Sequence, residues 1–464
     1  MVMTVTAEQM TRWCDTLVRG RAAAPKFELV DYLSAVPRLG TLADLPSGTP
    51  VAVRGDVDAK PGSKIGEGDI RLRSMVETLK FGITRGWKQV VFGHIGRKPE
   101  GSLGKVAARL AEILGQDVPV VGDWIDESTN TVADSVRDRI AASAPGSVLM
   151  LENTRRYAIE CALWKAKPHD LPGLTDQLTK FANSFSEKIA RVYVHEAFSA
   201  GSLDTSSVVL SAAMDRVAMG TYEAAEFDGP LRRCLATQLV VFSGLKIDKL
   251  DDLEAMIGRG TIKAVFAAGS LAMALKKAIG EIEGKPCCLG VAEDPAHADK
   301  PYYIPAERVA QAKEMVVAGR AKGIEFVVPV DSVIEDGSVV DVLSPGHQQF
   351  DIGPKTSQLF EMKVGEFLSA HPKGGVAFHN GVFGMFEDPR FAAGTKKFIP
   401  QLKRMNDAGI EVYIGGGEGG TALELYGQPD WVTHVFTAGG TVLNALGSEP
   451  VPYLIALRMA SGKV

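Results

Sequence analysis

The chain has 464 residues, of which 45% are hydrophobic and 23% are charged, with a formal net charge of −5 at pH 7. This length exceeds what one hydrophobic core ordinarily serves, so the sequence predicts two globular domains. The net negative charge argues against a general nucleic-acid-binding protein, and the lack of an uncharged run of about 18 apolar residues argues against a membrane span.

Short apolar runs alternate with helical patterns along almost the whole chain. The predicted strands are Pro50–Val53, Gln89–Gly93, Ser147–Leu151, Val192–His195, Leu239–Phe242, Ala264–Ala268, Phe326–Val330, Gly375–Phe378, Glu411–Ile414 and Val432–Phe436. The predicted helices include Ile70–Arg85, Lys105–Leu114, Leu174–Ala190, Leu250–Ile257, Ala306–Lys322 and Lys396–Ala408. Apolar strands that alternate with helices indicate parallel sheets covered on both faces. We therefore expect an α/β fold with two doubly wound parallel-sheet domains, each of about five or six strands.

A polar, helix-prone segment, TYEAAEFDGPLRRC, separates the two series of strands. We interpret residues 221–236 as an interdomain helix with a hinge, between domains at 41–220 and 237–440. Residues 1–40 are expected to form an N-terminal extension that packs outside the first sheet. Residues 441–464 are expected to return to the N-terminal domain.

The five cysteines show no spacing typical of a metal site, which favours free thiols in a reducing cytoplasm. The N-terminal residues MVMTVTAEQMTRWCDTLVRG lack the basic head and apolar run of a secretory signal. We therefore expect a cytoplasmic protein.

Polar and basic residues follow the strands of the first series, where the carboxyl ends of parallel strands form a ligand site. They are Asp56, Asp58, Arg71, His94, Arg97 and Arg155. Arginines that converge on one sheet edge would bind a small phosphorylated acid through bidentate hydrogen bonds. Taken singly, each arginine could be a surface charge and His94 a structural histidine. Asp56 could orient a substrate hydroxyl, pair with a nearby arginine, or do both.

Glycine-rich turns follow the strands of the second series and open helices, so their backbone N–H groups could bind a phosphate. The candidate residues are Gly244, Lys246, Lys249, Asn380, Glu387, Gly416, Gly417, Glu418 and Gly419. The lysines would add positive charge, and Glu418 could hold Mg²⁺, which bridges phosphates. The alternative role of these glycines is tight packing of a helix on a sheet.

Gly415, Gly417 and Gly420 also satisfy the G-x-G-x-x-G pattern of dinucleotide-binding proteins. That site requires an acidic residue near the end of the next strand, which here ends in Val435-Phe436-Thr437. No G-x-x-x-x-G-K-[ST] motif occurs, so the sequence argues against both a nicotinamide dinucleotide site and a P-loop kinase.

Several motifs in a fixed order resemble those of the phosphoglycerate kinase family, from about Leu39 to the end of the chain. They are VAVRGDVDAKPG, GHIGRKP, LENTR, DIGPKT at Asp351–Thr356, Met385-Phe386-Glu387, Phe391–Thr395 and Gly415–Gly419. The resemblance implies reversible phosphoryl transfer between 1,3-bisphosphoglycerate and ADP, which gives 3-phosphoglycerate and ATP in glycolysis, gluconeogenesis or carbon fixation.

The resemblance also implies a role for each candidate residue. The first set, from Asp56 to Arg155, would hold the acid, and the second set, from Gly244 to Gly419, would hold ATP or ADP with Mg²⁺ at Glu418. Glu387 would bind the ribose, and Arg71, Lys246 and Lys249 would act in catalysis. Transfer would be direct, and the two domains would close to bring the substrates together. A monomer that acts on small molecules is expected.

The chain departs from the family pattern at several positions. Leu203 stands where a substrate-binding arginine is expected, and Ser202 and Thr205 replace two histidines. Asp58 replaces an asparagine, Glu418 an aspartate and Gly419 a threonine or serine, and SGLKIDK is one residue short. Three functions therefore stay open: a divergent phosphoglycerate kinase, a kinase of the same fold for another small carboxylic acid, and a non-catalytic nucleotide-binding homologue. Arg156 is a candidate to replace the missing arginine.

Overall fold

The computed structural model describes residues 4–20, 28–447 and 450–462. The chain divides into two compact units, one formed by Met1–Gly229 with Glu449–Val464 and the other by Pro230–Ser448. In the described ranges, no helix combines the length and the apolar character needed to span a bilayer.

The strands, in chain order, are β1 (Pro50–Gly55), β2 (Lys88–Phe92), β3 (Val120–Val121), β4 (Ile125–Asp126), β5 (Thr131–Val132), β6 (Val148–Leu151), β7 (Val192–Glu196), β8 (Arg216–Met219), β9 (Leu239–Phe242), β10 (Ala264–Ala267), β11 (Glu325–Val327), β12 (Ser332–Ile334), β13 (Val339–Val340), β14 (Gln349–Ile352), β15 (Gly375–Asn380), β16 (Ile410–Gly415) and β17 (His434–Val435).

The helices are α1 (Ala7–Arg19), α2 (Leu29–Ala35), α3 (Ile70–Ser74), α4 (Val76–Thr84), α5 (Gly104–Leu114), α6 (Asp134–Ala142), α7 (Leu171–Lys188), α8 (Thr205–Val208), α9 (Thr221–Glu226), α10 (Arg232–Cys234), α11 (Lys249–Gly258), α12 (Gly269–Ile282), α13 (Ala306–Ala321), α14 (Pro354–Ala370), α15 (Ala393–Asp407), α16 (Gly417–Tyr426), α17 (Gly439–Leu446) and α18 (Pro452–Ala460).

The first unit is built on a six-stranded parallel sheet in the order β3-β6-β2-β1-β7-β8. Its strands are buried almost throughout, because helices cover both faces of a parallel sheet. The edge strands β3 and β8 are absent from the prediction. They have two and four residues, too few for an apolar run to be distinguished from a loop.

The second unit has its own six-stranded parallel sheet, in the order β11-β10-β9-β15-β16-β17. The prediction of two parallel α/β sheets is therefore confirmed. A small antiparallel sheet, β13-β12-β14, was not predicted. Its strands have two to four residues, and β13 and β14 are partly exposed, so they lack the apolar run that marks the central strands.

The predicted helix over 70–85 is two helices, α3 and α4, that meet at Met75. The Met75 N–H bonds to the carbonyl of Leu72, three residues back, which tightens the turn at this point. Met75 is fully buried beside Gly55 at the end of β1, where an added Cβ would lie 2.4 Å from the Met75 Sδ. The absence of a side chain at Gly55 therefore lets the start of α4 pack against the first strand.

The segment interpreted as an interdomain helix with a hinge, residues 221–236, changes its winding within its length. α9 ends at Glu226, a π-helical turn spans Phe227–Leu231, and α10 follows. Pro230 lies in this turn and has no N–H to donate, so a regular α-helical hydrogen bond is lost there. The boundary between the two units, Gly229/Pro230, falls in the same turn.

Both ends of the chain contribute helices to the first unit. α1 begins with a capping box between Thr6 and Gln9, and the Trp13 indole donates to the Val208 carbonyl at 2.8 Å. α18 places Tyr453 in a stack on His195 of β7, with ring centroids 4.2 Å apart. Parts of the predicted extension and of the predicted C-terminal segment, residues 1–3, 21–27, 448–449 and 463–464, lie outside the described residues.

The motif DIGPKT opens α14 and is capped by a buried aspartate from an earlier segment. Asp331 is fully buried, and its carboxylate accepts the N–H groups of Thr356 at 2.8 Å and Lys355 at 2.9 Å, and the Thr356 hydroxyl at 2.6 Å. An added Cβ at Gly353 would lie 2.2 Å from the Asp331 Cγ. The motif therefore forms a helix N-terminus that fits closely around one carboxylate.

We expect Asp331→Ala to lower the free energy of unfolding of the second unit by roughly 2–4 kcal/mol, because it leaves buried N–H groups without an acceptor. Urea denaturation followed by circular dichroism measures this loss. Asp336→Ala is the matched control, since the Asp336 carboxylate accepts the exposed Ser338 N–H. Equal stability of the two variants would contradict the capping role.

Candidate functional site

Loops after three neighbouring strands meet at the carboxyl edge of the first sheet. The Gly96 N–H, after β2, donates to the Asp58 carboxylate, after β1, at 2.9 Å. The Gly96 carbonyl accepts a hydrogen bond from the Arg155 guanidinium, after β6, at 2.5 Å. Parallel pairing of β1, β2 and β6 brings these loops to one side, so residues about 100 positions apart in sequence become neighbours.

Arg71, at the start of α3, lies between two carboxylates of the first loop. Its Nη1 donates to the Asp58 carboxylate at 3.0 Å and to the Asp58 backbone carbonyl at 3.0 Å, and its Nε lies 3.8 Å from Asp56. Asp56 is buried and accepts a hydrogen bond from the Ser199 hydroxyl at 2.9 Å. Burial raises the pKa of Asp56, while the Arg71 charge opposes that rise. Asp56 therefore pairs with a neighbouring arginine, one of the roles considered from sequence.

Arg54, the arginine of β1, is a charged residue at this edge of the sheet. It was not among the site residues predicted from the sequence. Its side chain is 1% exposed and donates to the Gly55 carbonyl at 2.6 Å and to the Ser206 hydroxyl at 3.0 Å. Its Nη2 lies 3.0 Å from the His94 Nδ1. Burial, together with the charges of Arg54 and Arg155, lowers the pKa of His94 to about 2. His94 is therefore a neutral imidazole.

Asp204 is a second charged residue that the sequence analysis missed. It is fully buried, and its Oδ2 lies 3.4 Å from His94, 3.6 Å from Arg155 and 3.7 Å from Arg54. Its Oδ1 accepts a hydrogen bond from the Trp164 indole N–H at 2.7 Å. The motif comparison considered Ser202, Leu203 and Thr205 but gave no role to Asp204 between them, and an acid next to the missing arginine was the available signal.

His94, Asp204 and Glu160 have ligand atoms within 4.8 Å of one another, an arrangement in which a metal ion could be held. Two features argue against a metal there. The Arg54 guanidinium already lies at hydrogen-bonding distance from the His94 Nδ1, and the Glu160 carboxylate accepts hydrogen bonds from Ser206 and Thr154. Burial and the Asp204 charge raise the pKa of Glu160 to about 7. The cation of this cluster is thus the Arg54 guanidinium.

The remaining candidates of the first sheet differ in exposure. Arg155 is largely covered, with 10% of its side chain exposed, and its guanidinium lies over the Trp164 ring at 4.8 Å. Arg97 is exposed at the same edge. Arg156, considered as a replacement for the missing arginine, lies 3.8 Å from Glu152. The structure therefore brings Asp56, Asp58, Arg71, His94 and Arg155 into one cluster with Arg97 at its rim.

The second unit contains a cavity of about 1000 Å³ at the carboxyl ends of its strands. Of the sequence-predicted residues, the cavity is lined by Gly244, Lys246, Lys249, Asn380, Glu387, Gly416, Gly417 and Glu418. Gly419 is not among the lining residues. An added Cβ at Gly419 would lie 2.7 Å from the Ile414 Cγ2, so this glycine serves the packing of α16 on the sheet.

Two backbone turns approach closely at the edge of this cavity. Gly416 has φ of 96°, which favours glycine, and an added Cβ at Gly439 would lie 2.7 Å from the Gly416 Cα. The starts of α16 and α17 therefore meet without side chains between them. Both helix N-termini line the cavity, and their free N–H groups favour an anion.

Lys249 is a partly buried cation of the cavity. Its ammonium donates to the Ser243 carbonyl. Burial and the nearby Lys246 charge lower the pKa of Lys249 to about 8, while Glu418 and Asp252 oppose the shift. The carboxylates of Asp248, Asp252 and Glu418 also line the cavity and supply the oxygen atoms that Mg²⁺ prefers. The donor set therefore fits a magnesium-bound anion.

Comparison with known proteins identifies the family of this chain. Residues 43–449 match the family model described as phosphoglycerate kinase. The phosphoglycerate kinase of Saccharomyces cerevisiae is 29% identical over 402 residues, which cover 82% of this chain and 89% of the relative. The cytosolic phosphoglycerate kinase 3 of Arabidopsis thaliana is 29% identical over 441 residues, covering 90% of this chain and 98% of the relative.

Among solved structures, the phosphoglycerate kinase of Pyrococcus horikoshii OT3 superposes with a TM-score of 0.69 at 25% identity, covering 92% of this chain and all of that one. The enzyme of Coxiella burnetii, at 21% identity and a TM-score of 0.63, shares the fold. Because the family model spans far more than half of the chain, the protein belongs to the phosphoglycerate kinase family.

Proposed function

We propose that the protein transfers a phosphoryl group reversibly between ATP and the carboxylate of a small acid. The carboxylate oxygen attacks the γ-phosphorus, its bond to phosphorus forms as the bond to the β,γ-bridging oxygen breaks, and an acyl phosphate and ADP result. The observation that carries this proposal is the cavity in the second unit, where Lys246 and Lys249 lie beside helix N-termini and the carboxylate of Glu418.

The second unit would bind the nucleotide. Backbone N–H groups at the starts of α16 and α17 would bind phosphate oxygens, and Lys246 and Lys249 would neutralise part of their charge. Glu387 and Asn380 also line the cavity, and Glu387 would bind the ribose. Glu418 would hold a magnesium ion, which would supply positive charge against the phosphates and the charge that develops during transfer.

The first unit would bind the acid. Arg71 is about one-quarter exposed, lies beside Asp56 and Asp58, and is the guanidinium we propose for the transferring group. The neutral imidazole of His94 and the exposed guanidinium of Arg97 would contact the acid. Phosphoryl transfer without an intermediate requires that the acid and ATP come into contact.

3-Phosphoglycerate, the acid of the family reaction, is the first candidate substrate. A second candidate is a different small acid with less negative charge. The specific observation that favours it is Asp204, a buried carboxylate within 3.7 Å of Arg54, His94 and Arg155.

We further propose a cytoplasmic monomer that binds small molecules. Two findings support the cytoplasmic assignment. All five cysteines lie in the described part of the chain and none forms a disulfide there, and a wheat relative at 27% identity is named cytosolic.

Incubation with Mg-ATP and a panel of small carboxylic acids that includes 3-phosphoglycerate tests the reaction. We expect acid-dependent ADP release at about 1 s⁻¹ or faster, and trapping of the acyl phosphate by hydroxylamine as a hydroxamate. Bound ATP in calorimetry without a hydroxamate from any acid would indicate a nucleotide-binding protein that is not a kinase.

We expect Arg71→Ala to lower turnover by about 100-fold or more, because the guanidinium acts on charge that develops in the transition state. Its affinity for Mg-ATP should change by less than about threefold. Arg73→Ala, an exposed arginine on the same helix, is the matched control and should retain turnover. Collapse of ATP binding in Arg71→Ala would overturn the assignment of the acid to the first unit.

The lowered pKa of Lys249 predicts that nucleotide binding depends on pH. With a pKa of about 8, its ammonium is charged below that pH and loses its proton as the pH rises through it. We expect affinity for Mg-ATP, measured by calorimetry, to fall about tenfold between about pH 7 and about pH 9.5, as one charge-assisted hydrogen bond is lost.

The Lys249→Met variant should bind Mg-ATP weakly at every pH and lack this step. The Lys246→Met variant should bind more weakly than the wild type but keep the step. A step of the same size in Lys249→Met would show that another group titrates.

A further inference from the structure

The acid-binding cluster of the first unit carries carboxylates of its own that occupy its arginines. Arg54 and Arg155 both face the buried Asp204, and Arg71 pairs with Asp58. The guanidiniums that the sequence marks as anion ligands are therefore partly neutralised from within the chain. Arg97, exposed at the rim, is an arginine of this set with no carboxylate within salt-bridge distance among the described residues.

Arg155 is held on several sides. Its Nη1 donates to the Gly96 carbonyl, its Nη2 lies 3.6 Å from Asp204, and its guanidinium plane lies over the Trp164 ring. Its Nε is buried without a hydrogen-bond partner. The guanidinium is therefore fixed in place and its charge is partly offset by Asp204, although its Nε–H makes no hydrogen bond.

Trp164 links the two groups that hold Arg155. Its indole N–H donates to the Asp204 carboxylate at 2.7 Å, while its ring carries the Arg155 guanidinium. The residue is 40% exposed, so the ring presents an apolar surface beside the cluster. Leu203 precedes Asp204 and adds an apolar side chain at the same turn. This end of the site is therefore apolar and aromatic, with its charge compensated.

Gly96 separates the two ends of the cluster. Its N–H donates to Asp58, which pairs with Arg71, and its carbonyl accepts a hydrogen bond from Arg155. In the proposed reaction the acid's carboxylate lies at Arg71. The far end of the acid then extends past Gly96 toward Arg155 and Trp164.

A phosphate at that far end would add about 1.5–2 negative charges next to Asp204. Arg54 and Arg155 already face that carboxylate, and among the described residues Arg97 is the arginine of this cluster without one. Like charges brought together in a buried cluster repel strongly, because little water screens them. A hydroxyl or a methyl group would meet the Trp164 ring and the neutral His94 without that repulsion.

We propose that the acid substrate of this protein carries no phosphate at its far end, and that Asp204 and Asp58 set this preference. The class is that of small unphosphorylated carboxylic acids, with glycerate as the simplest matched probe for 3-phosphoglycerate. That the bound acid is a substrate rests on the proposed phosphoryl transfer. The preference between acids is tested by binding alone.

Calorimetry with the full chain compares glycerate with 3-phosphoglycerate, two probes that differ by the phosphate group. We expect wild-type protein to bind glycerate at least about tenfold more tightly. Asp204→Asn, which keeps the shape but removes the charge, should raise affinity for 3-phosphoglycerate about tenfold and leave glycerate within about threefold.

Asp58→Asn gives a second, partly exposed site for the same test if Asp204→Asn does not fold. It removes a negative charge beside Arg71 and Gly96, so affinity for 3-phosphoglycerate, the more highly charged probe, should rise about fivefold or more and by a larger factor than affinity for glycerate. Asp44→Asn is the matched control, since it removes an exposed carboxylate paired with Arg216 elsewhere on the same unit. It should leave both affinities unchanged.

Tighter binding of 3-phosphoglycerate than of glycerate by the wild type would overturn the inference, as would no binding of glycerate. The same holds if the folded Asp204→Asn and Asp58→Asn variants bind 3-phosphoglycerate no better than Asp44→Asn does. The hydroxamate assay is separate. Failure of that assay with correct binding preferences would reject the kinase and keep the charge-based selection of the acid.

Discussion

The buried guanidinium of Arg54 organises the first unit around its ligand edge. It comes from the end of β1, donates to Ser206 in α8, and lies beside His94 after β2 and Asp204 before α8. A charge that is 1% exposed must be compensated, so these segments are constrained to meet around it. The loops that carry Arg71 and Arg155 attach to the same framework through Gly96. The proposed acid site is therefore a surface extension of a buried ionic network.

The second unit also forms a candidate ligand site, but mainly from backbone atoms. Its cavity is formed where helices begin, and the closest approaches are between backbone atoms, as at Gly416 and Gly439. Lys249 is a partly buried cation of this cavity. Its pKa is lowered mainly because little water reaches the ammonium group. One unit thus presents side-chain charge and the other presents backbone N–H groups, which suits an acid and a polyphosphate respectively.

The departures from the family pattern have a common physical consequence in this structure. Asp58 and Asp204 each lie against an arginine of the acid site. Trp164 holds Asp204 and Arg155 in contact through its indole N–H and its ring. Leu203 stands where the family pattern has an arginine, so one positive charge is missing. In addition, Asp58 and Asp204 offset the charges of arginines that remain. The site is therefore less positive than its arginines alone suggest, because Asp58 and Asp204 lie beside them.

The sequence by itself determined the two parallel sheets, their central strands and the polar residues that follow them, because apolar runs and strand–helix alternation are local properties. It also identified eight residues that line the cavity of the second unit, all of its candidates there except Gly419. It did not reveal the short edge strands β3 and β8, the break at Met75 or the packing role of Gly419. Only the tertiary structure decided that Asp204 and Trp164 lie against Arg155. Asp204 and Arg155 lie far apart in the chain and meet because they follow strands of the same parallel sheet. Trp164 is close to Arg155 in sequence, but only the packing of its ring and indole N–H places it between Arg155 and Asp204.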